Sequence, residues 1–277
     1  MNYINAAYGG LEDLAKAYRD TYQDAYPFPN INFKNFFNET ILNEVLEDLY
    51  FYDKKKVVSF NSLNEKGNTV TGENTFGEKT VDFIHYLNSE TFLSFLQSIT
   101  GIHETLIPDP YLEDAGLHET QRGGYLKVHT DYYKHSHTKL DRRICVIVYL
   151  NKNWREEYGG HLEFWNQDMT QCEKRILPDF NSCAIYATTD FSFHGSPNPL
   201  KCPPDRTKKA LVFYYFTNGR PINEVNDGFS GIKPTFKARR GIFIDIHLKA
   251  FFFFKGFFRV LDALLPPVIT SIFKKIF

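Results

Sequence analysis

Between about residues 120 and 220 the chain alternates short apolar runs with turn residues, and no helix-length segment separates them. The clearest runs are Tyr125–His129, Arg143–Leu150, His161–Trp165, Cys183–Ala187 and Ala210–Phe216. Runs this short, rich in β-branched and aromatic residues, form strands. Parallel neighbours would need a long crossover between them, usually a helix. Its absence predicts antiparallel strands folded into a double-sheet jelly roll.

Helical periodicity dominates the sequence before this region. Leu11, Leu14, Ala15 and Tyr18 recur at helix spacing, as do Phe37, Ile41, Val45, Leu46 and Leu49. Thr80 to Ile99 predicts a helical pair, with Gly101 as its stop. Residues 61–79, rich in Asn, Gly and Thr, predict an exposed loop. The expected chain is therefore α+β, with helices on the outer face of a sheet. A helical region over 1–110 packs on a double-stranded β-helix (jelly-roll) core over 111–221, followed by an aromatic-rich helical tail over 222–277.

The tail holds Phe251–Phe254, Phe257, Phe258 and the Pro266-Pro267 break. Lys249, Lys255, Arg259 and Asp262 interrupt it, which disfavours a transmembrane helix. Lys255, Arg259 and Asp262 make a narrow polar stripe on a mostly apolar helix. Such a helix covers the sheet or a homodimer interface; a membrane-surface contact through 241–277, with Lys274 and Lys275 near headgroups, is the alternative. A formal net charge of −1 gives no electrostatic reason to expect a nucleic-acid partner. Cys145, Cys172, Cys183 and Cys202 have no zinc-finger or redox spacing. The start of the chain lacks a signal-peptide pattern, and the expected location is cytoplasmic, with any membrane association through the tail.

His129 and Asp131 stand two apart on one expected strand, so both side chains point the same way. A distant His194, in Phe-Ser-Phe-His-Gly, would have to arrive on a neighbouring strand. Two imidazoles and a carboxylate occupy one face of an Fe(II) octahedron and leave adjacent positions for a co-substrate and dioxygen. With nine histidines in the chain the bare pattern is weak, and its surroundings decide. Gly-Gly-Tyr precedes His-x-Asp, Tyr149-Leu-Asn-Lys-Asn-Trp154 ends the next strand, and Gly159-Gly160 makes a turn. After His194-Gly195 comes Arg206-Thr-Lys-Lys-Ala-Leu-Val-Phe-Tyr-Tyr-Phe216.

In this order of motifs, over about residues 100–221, the chain resembles the prolyl 4-hydroxylase-like branch of the 2-oxoglutarate- and Fe(II)-dependent dioxygenases. The resemblance implies that His129, Asp131 and His194 are catalytic and hold the iron. It also implies a cation for the distal carboxylate of 2-oxoglutarate. Counting back from Tyr214-Tyr215-Phe216 gives that role to Lys208, with Arg206, two residues earlier, as the alternative. Tyr149 matches a tyrosine that bonds the same carboxylate. The implied reaction consumes O2, converts 2-oxoglutarate to succinate and CO2 and hydroxylates an unactivated C–H of a peptidyl or small-molecule substrate. Ascorbate is a further implied cofactor.

Other groupings point elsewhere. His135-x-His137 with Asp141 suggests a second metal, although Lys134 and Lys139 oppose a cation, and an exposed loop over the pocket is the plainer reading. Lys134, His135 and Arg122 would suit an anionic substrate. A non-catalytic, cupin-like metal-binding sensor is a competing function. A zinc hydrolase is disfavoured because no glutamate base stands in a recognisable motif.

Overall fold

The computed structural model describes residues 2–52, 54–109, 111–224, 234–241, 244–250, 252–253 and 255–256. The chain divides into two compact units, Met1–Lys237 and Ala238–Phe277.

The first unit carries four α-helices among the described residues: α1 (Leu11–Gln23), α2 (Glu39–Asp48), α3 (Glu78–Leu87) and α4 (Glu90–Thr100). The expected pair is α3 and α4. Ser89 caps α4 by accepting from the Phe92 amide, and Gly101 ends it in the left-handed conformation, φ 73°. Asp48, at the end of α2, accepts hydrogen bonds from the Thr80 amide and hydroxyl and so ties α3 to α2.

Among the described residues thirteen strands form one sheet: β1 (Asn30–Lys34), β2 (Val57–Asn61), β3 (Glu65–Val70), β4 (Ile107–Pro108), β5 (Gly116–Thr120), β6 (Tyr125–Thr130), β7 (Asp141–Tyr149), β8 (Leu162–Trp165), β9 (Cys172–Ile176), β10 (Ser182–Ala187), β11 (His194–Ser196), β12 (Lys208–Thr217) and β13 (Thr235–Phe236). The pairing runs β1-β10-β7-β12-β5-β3-β6-β11-β8-β9, antiparallel throughout. Residues from β5, β6, β7, β8, β11 and β12 line one shared cavity, so the path folds over on itself as a jelly roll.

Alternation along β12 shows how the fold serves both faces. Lys208, Ala210, Val212 and Tyr214 line the cavity. Tyr215 points away, its ring 6.3 Å from Phe92 and its hydroxyl bonded to the Leu87 carbonyl at the end of α3. Phe33, Phe36, Phe37, Phe83, Phe92 and Phe95 continue that outer packing. Each buried Phe contributes roughly 1.5–3 kcal/mol of transfer energy, which accounts for much of the high aromatic content. Residues 1–110 and 111–221 thus share one continuous hydrophobic cluster.

The 61–79 segment departs from expectation. It supplies β3 and the turn that joins it to β2, and β3 bridges β5 and β6. Its polar residues give no alternating apolar signal, because ladder bonds on both sides, more than side-chain burial, hold this strand. Most of the tail lies outside the described residues, including 257–277, and so do its expected dimer and membrane contacts. Within the second unit, Arg239 pairs with Asp245 at 2.9 Å. Among the described residues, no helix is long and apolar enough to cross a membrane.

Candidate metal and co-substrate site

β6 and β11 pair so that His129 and His194 are direct cross-strand partners, with ring centroids 4.5 Å apart. Gly195 allows this approach. A Cβ there would lie 2.8 Å from the Leu126 carbonyl oxygen and 2.9 Å from that of Lys127, closer than real contacts. The glycine of His-Gly is therefore a packing requirement of the site.

The hydrogen bonds fix both ring tautomers. His129 Nδ1 lies 2.9 Å from the Lys127 carbonyl, and His194 Nδ1 lies 2.9 Å from that of Ser192. A carbonyl only accepts, so each Nδ1 carries the proton and each Nε2 keeps its lone pair. Those Nε2 atoms lie 3.5 and 3.8 Å from Asp131 oxygens, and all three residues place a ligand atom within 4.8 Å of the others. Asp131 Oδ2 is buried and has no hydrogen-bond partner among the described residues. An orphaned carboxylate oxygen facing two lone pairs needs a cation, and one divalent metal satisfies all three groups. The residues fit the expected Fe(II).

The local electrostatics agree. Burial raises the Asp131 carboxyl, but the surrounding His194, His129 and Arg142 side chains together bring it well below the usual range. Burial pushes His194 down to about 4 and keeps its imidazole neutral. The Tyr186 hydroxyl, 2.9 Å from His194 Nε2, is positioned to donate to that atom.

A cavity of about 100 Å³ leads away from the triad. Ile147, Leu162, Ala210 and Val212 contribute apolar wall, while Lys208 and Tyr149 supply polar groups. Among the described residues Lys208 Nζ has one acceptor, the Gly160 carbonyl at 3.4 Å, and burial lowers its ammonium to about 8. Gly160 also makes room for that side chain, since a Cβ there would meet Lys208 Cδ at 3.1 Å. Arg206 lies outside this lining. Its guanidinium donates to the Lys152 and Asn153 carbonyls and sits against the Trp154 and Tyr158 rings. It precedes β12, so the two-residue alternation that aims Lys208 inward does not extend to it.

A second cavity, of about 290 Å³, shares His129 and Asp131 with the first and is also lined by Arg142. The Arg142 side chain lies between Tyr132 and Tyr214, 3.6 and 3.5 Å from their ring centroids. It is only 1% exposed, and its Nε and Nη2 have no hydrogen-bond acceptor among the described residues. Sequence reasoning missed it. β7 carries an extra residue opposite Tyr215/Phe216, where Ile144 and Arg142 are the successive partners. That bulge reverses the side that simple alternation from Tyr149 would give.

The second histidine grouping forms differently from the expected one. Asp141 is taken by Lys134 at 2.8 Å, and His135 and His137 meet Glu113 instead. The amides of His137 and Thr138 both donate to His135 Nδ1, so its Nε2 carries a proton, directed at Glu113. A metal would need that same Nε2 lone pair. The cluster is a hydrogen-bonded loop, with His135 buried. Arg122 is likewise engaged, with the Lys201 and Cys202 carbonyls, so it and Lys134 do not form the anion-binding wall expected of them.

Residues 115–216 match the family described as the 2OG-Fe(II) oxygenase superfamily. Over 185 residues, 61% of this chain, the sequence is 25% identical to prolyl 3,4-dihydroxylase OGFOD1 of Ostreococcus tauri, and it spans 34% of that protein's length. The fold is similar to a Trichoplax adhaerens prolyl hydroxylase solved with a hypoxia inducible factor peptide fragment, with TM-score 0.55, 17% identity, and 75% of this chain and 90% of that one covered. It is also similar to a Pseudomonas putida prolyl-4-hydroxylase, with TM-score 0.55, 11% identity, and 76% and 100% covered. The matched segment thus carries the jelly-roll core, with His129 and His194 on paired strands and Asp131 just beyond the first, and it is similar over that span to the 2OG-Fe(II) oxygenase superfamily.

Proposed function

We propose that this protein is an Fe(II)- and 2-oxoglutarate-dependent dioxygenase that hydroxylates an unactivated C–H of a peptidyl prolyl or small-molecule substrate. The observation that carries this reading is the meeting of two fixed Nε2 lone pairs and an orphaned carboxylate oxygen beside a pocket lined by a half-buried lysine. Iron, when bound, supplies dioxygen activation at the expense of 2-oxoglutarate. The chain does the rest. His129, Asp131 and His194 hold the metal, and the Nδ1 hydrogen bonds keep both rings aimed. Lys208 holds the distal carboxylate of 2-oxoglutarate, with the Tyr149 hydroxyl as a second donor. The apolar wall excludes water from that contact and strengthens it. Arg142 offers unpaired N–H donors to a carbonyl or carboxylate of the substrate. The four free cysteines suit a reducing compartment.

The test is succinate formation from 2-oxoglutarate by the full chain with Fe(II) and ascorbate in air. Turnover that is absent from Asp131→Ala supports the reading. Stoichiometric metal binding without any succinate would move the protein to the non-catalytic, metal-sensing class.

A further inference from the structure

The second cavity holds charges that the chain leaves unpaired. It shares Phe60, Thr69 and Asp114 with a groove of about 720 Å³, so a ligand at the triad has room to extend outward. Beyond the metal ligand Asp131, the ionisable acids and bases of this continuous space are Glu65, Glu113, Asp114, Arg142 and three histidines, His118, His135 and His137, apart from the ligand His129. Glu113 is satisfied by Ser136, His135 and His137. Asp114 accepts from the Tyr132 hydroxyl. Glu65 has no side-chain hydrogen bond or ion pair with any described residue, although it is partly buried. His118 is committed to the Asp114 carbonyl and is kept neutral by burial.

Two carboxylates thus face one continuous cavity with no lysine on its described lining. The lone guanidinium there donates from neither Nε nor Nη2 to either of them. Like charges brought together in a partly dry cavity repel, Arg142 offsets this for Asp114 without a hydrogen bond from Nε or Nη2, and a cation entering beside Glu65 relieves the rest. The unpartnered, buried Arg142 shows that the same cavity awaits a ligand's acceptor as well. We infer that Glu65, with Asp114, forms a subsite for a cationic group of the substrate, a protonated amine or a guanidinium. The inference rests on the oxygenase reading, which makes this cavity the substrate side of the metal. The substrate is then a basic molecule or a basic peptide segment that places an oxygen acceptor at Arg142 and its positive group at Glu65.

The experiment uses the full chain loaded with Co(II) and saturating 2-oxoglutarate. Two probes of one shape are compared: n-butylguanidinium, which is charged, and n-butylurea, which is not. Proton relaxation caused by the paramagnetic ion reports which probe sits beside the triad. The charged probe should exceed the neutral one by roughly tenfold, the scale of one charge-assisted hydrogen bond, and Glu65→Gln and Glu65→Lys should bring the two level. The Co(II) visible spectrum, and its change on adding 2-oxoglutarate, checks that each variant keeps its site; if Glu65→Gln loses it, Asp114→Asn serves instead. Equal relaxation of both probes in the natural protein overturns the inference, as does a preference that survives the substitutions. A spectrum that does not respond to 2-oxoglutarate removes the oxygenase reading and the cation subsite together.

Discussion

At the residue scale, a ring nitrogen's hydrogen bond separates the two histidine clusters. The Nδ1 atoms of His129 and His194 face carbonyls, which turns lone pairs toward Asp131; His135 Nδ1 faces amides, which puts a proton on the inner nitrogen. Residue types and spacing made both clusters candidates, and the sequence has no means to show tautomers. Asp131→Ala should abolish tight Fe(II) binding while leaving the metal-free fold intact, because the lost carboxylate has a buried oxygen that the protein never satisfies. Iron content unchanged in that variant would sink the assignment. Lys208→Ala should raise the apparent KM for 2-oxoglutarate roughly tenfold or more, the scale of a charge-assisted bond, and Arg206→Ala should not. Lys208 also predicts a pH dependence. Its folded pKa, about 8, lies below the ordinary 10.5, so the free site holds an ammonium below about 8 and an uncharged amine above it. KM for 2-oxoglutarate should climb by up to about tenfold per pH unit above that point, and Lys208→Arg should flatten the climb. Stability moves the other way. The unfolded chain binds the extra proton between about 8 and 10.5, so the penalty for burying this charge is relieved as pH rises through that window. A KM that is flat from pH 7 to 10 in the natural protein would remove Lys208 from the carboxylate contact.

At the element scale, strands whose apolar faces are buried were legible and strands held by backbone pairing were not. β6, β7, β8, β10 and β12 announce themselves through Val, Ile, Leu, Phe and Tyr, and the inward set Lys208, Ala210, Val212 and Tyr214 follows from alternation once the strand is placed. β3, with Glu65, Lys66, Gly67 and Asn68, reads as a loop, yet it joins β5 to β6 and carries the carboxylate inferred to select substrate. The bulge in β7 is equally silent, and it decides that Arg142, and not Arg143, enters the cavity; Arg143 pairs instead with Glu104 and Glu224. The short strand β11 is tightly constrained, because Gly195 lies against backbone atoms of β6 that cannot rotate aside. Gly195→Ala should push the two strands apart and cost about 1–3 kcal/mol of stability, as overpacking does. Displacing His194 from His129 should also weaken Co(II) affinity by roughly 10–100-fold, the range seen when the support of a metal ligand is lost. Thermal unfolding and a metal titration on the same sample check both effects. Metal affinity equal to that of the natural protein would mean that β11 accommodates the methyl without moving His194.

At the scale of the whole molecule, the first unit already supplies the jelly roll, its helical packing and both cavities within Met1–Lys237. The tail is therefore not needed to build the triad, and its sequence must be explained by something else. Residues 241–277 combine a dense run of phenylalanines with enough Lys, Arg and Asp to disfavour an ordinary membrane span. Apolar surface on that scale far exceeds what a soluble monomer leaves in contiguous patches. We expect it to be covered by the protein's own helices or by a second copy of the chain. Truncation after Arg240 would then strip the cover from an apolar face and yield protein that is insoluble or has a lower Tm, with the metal ligands still present in the chain. Light scattering and thermal unfolding of the truncated and full chains, each loaded with Co(II), decide the point. The opposite result is equally clear. A truncated form that stays soluble, keeps its Tm and its succinate formation, and loses only binding to liposomes would assign the tail to a membrane surface and leave the jelly-roll core self-sufficient.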